Sequence, residues 1–347
     1  MLGLAASLCL PLAAQTPRNG YFSENLPMRH NLNPAFAPEY DYVAIPAIGG
    51  ISAGMNSNVG ADNFLFKKNG EVVTGLHSSV GNDEFLSGLK SRNYMEVNSG
   101  VSVVSLGFKA LGGFNTIGIN VKSASSVTLP YELFEFAKIG QVNGAPTSYN
   151  IKDTRVQSSN YLELAFGHSR NLGEKFRVGA KVKYIAGVAY ADARIDAIDV
   201  AMSADKWSVR EQGEMFTTDA IDIQYKPNGE IDDISKGSFG VAGNGLGFDF
   251  GASYKLLDNL VLSASLTDVG FVAWKGSNAS VNPDEFVYDG FHHLVAEKNP
   301  DGSSALSREG DQLEEDLRKL VRFQNETGAS RTQSLQTMLN LAINISS

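Results

Sequence analysis

From Phe176 the chain alternates with a period of two. Phe176, Val178, Ala180, Val182, Tyr184, Ala186, Val188 and Tyr190 form one series, and none of the eight is charged. Arg177, Gly179, Lys181, Lys183, Ile185, Gly187, Ala189 and Ala191 form the other. Successive strand side chains point to opposite faces, so the stretch is predicted as one long strand with an apolar face and a polar or small face. The pattern recurs. Leu246, Phe248, Phe250, Ala252, Tyr254 and Leu256 oppose Gly247, Asp249, Gly251, Ser253 and Lys255. Shorter copies occur around Val104–Phe108, Ile117–Val121, Leu162–Phe166, Leu260–Leu266 and Leu335–Ile345.

Two architectures bury such a face. A soluble antiparallel sandwich packs it on a second sheet. An outer-membrane β-barrel turns it to lipid and fills the lumen with polar and small residues. Length favours the barrel, because soluble strands run ~5–6 residues and spanning strands need ~9–11. Phe176–Tyr190 keeps its pattern for fifteen residues. About nine strands are expected, at roughly 43–57, 95–110, 114–127, 150–170, 175–194, 196–210, 241–256, 259–274 and 334–347. Tight turns at 110–114, 171–175 and 257–259 contrast with long polar stretches at 212–240 and 275–333, which suits the short-turn and long-loop sides of a barrel. Tyr184, Tyr190, Tyr254, Phe271 and Trp274 are expected as interfacial aromatics. Short helices are expected near 82–90, 130–138 and 311–323.

Composition narrows the class. The chain has 347 residues, 43% hydrophobic and 19% charged, with 35 glycines and a net charge of −9. The apolar content excludes a wholly disordered chain. The acidic balance argues against a nucleic-acid partner, which needs a Lys/Arg-rich face. Residues 2–14 are short, apolar and end in Ala13-Ala14, so 1–15 read as a signal peptide for export to the bacterial outer membrane. The single cysteine, Cys9, falls inside it, which leaves no disulfide framework in the remainder. Residues 16–41 are expected as a periplasmic or plug-like segment kept non-helical by Pro34 and Pro38. Residues 42–347 are expected as an all-β, antiparallel transmembrane barrel, incomplete at its C-terminus.

Candidate chemistry is sparse. Arg177, Lys181, Lys183, Asp249 and Lys255 are predicted to line the lumen. Buried like charges need partners, so they are expected to pair with acidic residues of neighbouring strands or of the plug, or else to form an anion-preferring lining. Arg29, His30, Asn33 and Pro34 are the plug candidates. The glycines of Gly243–Gly251 fall on alternate positions of a strand, unlike a phosphate loop. His292-His293 lacks metal-ligand spacing, and the acidic runs Asp232-Asp233 and Asp311–Asp316 read as a solvated face, with a weak divalent-cation site as the lesser alternative. No nucleophile–base pair is visible, so no catalytic residue, metal or cofactor is expected.

The stretch Met28-Arg-His-Asn-Leu-Asn-Pro-Ala-Phe-Ala-Pro38 with Ile45-Pro-Ala-Ile-Gly49 resembles the opening of a Bacteroidetes outer-membrane family of unknown function, domain of unknown function 5723. So do Leu129–Phe136 and Gly245–Lys255 with Leu260–Gly270 and Trp274. Asn33-Pro34-Ala35 is also similar to a segment of fatty-acid-transporter-type and type IX secretion barrels. The resemblance implies an outer-membrane barrel with further C-terminal strands and no established activity. The resulting expectation is a non-enzymatic barrel in outer-membrane lipid that passes or binds a small ligand, hydrophobic ones included. The alternative is a structural or assembly component with an envelope protein partner docked on the long loops.

Overall fold

The computed structural model describes residues 27–36, 38, 40–45, 50–141, 145–203, 206–227, 229, 231–281, 286–288 and 323–345. The expected signal peptide, His292-His293 and the acidic run 311–316 lie outside them. So does the helix expected at 311–323, apart from Phe323. A 3-10 turn at Pro27–Asn31 precedes the first strands. The strands, in chain order, are β1 (Tyr42–Ala44), β2 (Ile51–Ser57), β3 (Leu65–Lys68), β4 (Glu71–Thr74), β5 (Arg92–Ala110), β6 (Gly113–Pro130), β7 (Thr147–Leu172), β8 (Phe176–Met202), β9 (Trp207–Thr217), β10 (Ile221–Tyr225), β11 (Ile231–Lys236), β12 (Gly243–Leu257), β13 (Leu260–Val281), β14 (Phe286–Tyr288), β15 (Phe323–Ser334) and β16 (Met338–Ile345). Two helices, α1 (Asn82–Leu86) and α2 (Tyr131–Ile139), interrupt them.

Twelve strands form one antiparallel sheet, β1-β5-β6-β7-β8-β12-β13-β9-β14, with β2 on β5 and with β15 and β16 on β13. Three lanes are each built of two strands end to end. β2 and β1 share the outer side of β5. β12 and β9 share the gap between β8 and β13. β16 and β15 share the far side of β13. The strand expected at 43–57 is therefore two. Much of the two expected long loops is also strand: β9 runs to Thr217, β10 and β11 form a separate hairpin, β13 runs to Val281, and β15 follows.

The sheet is strongly curled. β6 and β13 are four lanes apart, about 19 Å in a flat sheet. Yet Lys122 Nζ on β6 lies 3.1 Å from Asp268 Oδ1 on β13. The face carrying these charges is the concave one. The convex face exposes Ile117, Leu164, Phe166, Val182, Phe248, Phe250, Leu339 and Leu341. Among the described residues the β1/β2 and β15/β16 edges are not paired with each other.

The alternation changes phase at bulges. In β8 the register with β7 shifts opposite Asn160-Tyr161. Below the shift Lys181, Lys183 and Ile185 are buried on the concave side; above it Tyr190 and Asp192 are. Tyr190 therefore does not continue the outward series that begins at Phe176. It stacks at 5.0 Å on Trp274, and both rings are buried with Phe216. Neither is an interfacial girdle residue. Gly187 makes room for this pair, since a Cβ there would lie 2.2 Å from the Trp274 ring.

A second small core lies between β2 and β5. Val80, Phe85, Leu86 and Leu89 pack with Phe64, Phe66 and Phe134, joining α1, α2 and the β3–β4 hairpin. Three aromatic contacts centre on Phe85.

Candidate functional site: the charged concave face and its N-terminal segment

Alternation in β6, β7, β8 and β12 aims Lys122, Glu163, Lys183 and Asp249 at the same concave face. Asp268 reaches it by another route. The β12–β13 register shifts between Phe248 and Phe250, and Asp268 takes a positive φ of 57° in the bulge. Aspartate tolerates that conformation better than most residues. Lys183 Nζ then lies 2.6 Å from Asp249 Oδ1, 2.7 Å from Asp268 Oδ1 and 3.8 Å from Glu163 Oε2. Lys122 Nζ lies 2.8 Å from Glu163 Oε2. Asn120 donates to Glu163 Oε1, and the Asp268 backbone N–H donates to Asp249 Oδ1. Two ammonium groups thus share three carboxylates in a buried setting, where breaking a pair is costly. Among the described residues no three His, Cys, Asp or Glu are placed to hold a metal ion.

The third ammonium, the buried Lys181, turns elsewhere. It sits opposite Asp249 in the β8–β12 ladder. Its Nζ donates instead to His30 Nδ1 at 2.7 Å and Asn31 Oδ1 at 2.8 Å. His30 Nε2 meets the Tyr42 hydroxyl, which contacts Ser105 Oγ at 3.0 Å. One neutral tautomer satisfies the chain: Nε2–H donates to Tyr42, and Tyr42 donates to Ser105. His30 lies on the N-terminal segment and not on a sheet strand. Burial, and then the nearby Lys181 charge, hold its imidazole well below the usual histidine range.

The same segment continues across the concave face. Asn33 Nδ2 donates to the carbonyls of Ala252 and Ala264, and its Oδ1 accepts from Ala35 N–H at 2.9 Å. Ser265 Oγ donates to Leu32 O at 2.7 Å. Gly179 and Gly251 let the backbone approach, since a Cβ at either would lie within 2.3 Å of Pro34 or Asn33. The Arg29 guanidinium lies 4.4 Å over the Phe36 ring.

A further charged group lies toward the other end of β8. Asp192 receives Arg155 at 2.8 Å and Arg331 at 3.0 Å, and Arg331 also reaches Glu214.

The residues proposed from sequence therefore separate. Lys183 and Asp249 meet directly, Lys181 meets the N-terminal segment, and Arg177 donates to Ser169 Oγ at 3.1 Å. Lys255 does not join them. It is exposed and pairs with Asp258 beside the β12–β13 turn, because that position lies past the end of the concave surface. Lys122, Glu163 and Asp268 were not among the candidates. The first two follow the same alternation and were legible from it; Asp268 needs the bulge.

A family model, the family of unknown function DUF5723, matches residues 34–347. The chain belongs to this family. No curated protein and no solved structure matches it. The match begins at Pro34, so family membership covers the whole described sheet and the later part of the concave-face segment.

Proposed function

We infer that the protein is an outer-membrane-type β-barrel, with residues 27–36 as its plug, that binds or passes a small ligand. The observation that carries this reading is the inversion of the sheet. Large apolar side chains stand exposed on the convex face across adjacent strands, while lysines and carboxylates are buried on the concave one. A soluble monomer rarely exposes so continuous an apolar surface; lipid accepts it. No helix among the described residues is long and apolar enough to cross a membrane. Membership in a family without assigned activity adds no substrate.

The test is planar-bilayer conductance of the full-length chain, compared with a variant in which Asn33→Asp and Ser265→Ala weaken the plug's seat. A plugged passage gives low conductance that rises in the variant. Unchanged, closed behaviour together with stoichiometric co-purification of an envelope protein supports the alternative, an assembly component. That alternative draws on the cap built by α1, α2 and the β3–β4 hairpin, which has a core of its own.

A further inference from the structure

Lys181 has two partners within its surroundings and uses only one. Its ladder neighbour is Asp249, a fully buried carboxylate whose Oδ1 pairs with Lys183 and whose Oδ2 has no hydrogen-bond partner among the described residues. An orphaned buried carboxylate oxygen is costly. Lys181 nevertheless donates to His30 and Asn31 of the plug. We propose that Lys181 is a two-position switch between the plug and Asp249, and that protonation of His30 throws it.

The chemistry follows from the hydrogen-bond directions. Neutral His30 offers Nδ1 as an acceptor to the Lys181 ammonium. Protonated His30 has donors at both nitrogens. Its Nδ1–H then opposes the Lys181 N–H, and two positive charges face each other in a buried site. Lys181 is the charged partner from β8, with Asp249 of β12 opposite it and the cluster of Lys183, Glu163 and Lys122 beyond; β1 contributes Tyr42, and β5 contributes the neutral Ser105. Arg29 on the same turn is stacked over Phe36. No carboxylate on these partners neutralises a protonated His30. Lys181 is relieved by turning to Asp249 Oδ2, and the plug loses this titrating anchor. The anchors through Asn33 and Ser265 do not titrate.

The sign is set by linkage. A histidine whose seated form resists protonation holds the plug fully above its ordinary pKa of about 6.5 and loses hold as pH falls below it, by about tenfold per pH unit. The experiment is amide hydrogen exchange of residues 27–36 in the full-length protein in lipid vesicles, corrected for intrinsic exchange, between pH 7.5 and pH 4.5. Opening of the segment is expected to rise about 100-fold at pH 4.5. His30→Gln keeps an acceptor for Lys181 and a donor for Tyr42 without titrating, and should abolish the rise. Asp249→Asn withdraws the waiting charge and should cut the rise about tenfold. A pH-independent wild type, or an equal acid response in His30→Gln, overturns the switch. The inference rests on the plug's seat and not on ligand passage, so a protein that never conducts leaves this readout intact.

Discussion

Lys183 is the residue on which the concave face depends most. It is 4% exposed and lies within 4 Å of three carboxylates. Lys183→Met leaves Asp249 and Asp268 facing each other without a cation between them. The expected cost is about 3–5 kcal/mol, read as a lowered thermal midpoint of the folded protein in detergent. Lys255→Met, which removes an exposed pair with Asp258, is expected to leave that midpoint unchanged. The contrast shows what alternation tells and what it omits. Both lysines lie on the polar series of their strands, and periodicity ranks them equally. Depth along the strand separates them, and depth depends on where the neighbouring strands end.

At the scale of elements, bulges decide which stretch of a strand faces which way. Tyr190 continues the outward series in sequence but is 2% exposed on the concave side. There it packs on Trp274, whose Nε1–H donates to Gln333 on β15. Trp274→Ala is expected to cost about 3–5 kcal/mol. Gly187→Leu should reproduce much of that loss by displacing the indole, and the loss of a stacked-ring near-ultraviolet circular dichroism signal would report both. The places of the main strands and of α1 and α2 were legible from period, but their ends were not: β8 runs unbroken to Met202 through the break expected near 195, β13 runs on to Val281, and α1 is capped at Gly81 and not at Asn82. The bulges in β8 and β13 were not, because one inserted residue changes the phase without leaving a run of unusual composition. The cap between β2 and β5 behaves as a separate element. Phe85→Ala is expected to expose 58–91 to limited proteolysis while the protection of β5–β8 is retained, since the Phe85 cluster shares no buried residue with the Trp274 cluster.

For the whole molecule, the sign of a surface substitution distinguishes lipid from water around the sheet. Phe250 is 51% exposed in the middle of the convex face. Phe250→Arg is expected to cost about 2–4 kcal/mol if that face meets the bilayer core, measured as reversible unfolding from lipid vesicles. A stability unchanged by the arginine would remove the membrane reading. The sequence by itself determined the antiparallel all-β class, the two-sided strands and most of the inward-facing charges, because a side chain's face follows from strand periodicity alone. Family membership likewise follows from linear similarity. Only the tertiary structure decided the pairing. The curl brings Lys122 to Asp268 from four lanes away, the β13 bulge delivers Asp268, and the N-terminal segment takes Lys181 from its ladder neighbour Asp249. These contacts join residues about 150 positions apart. Their partners are selected by sheet order and curvature, which local periodicity does not encode.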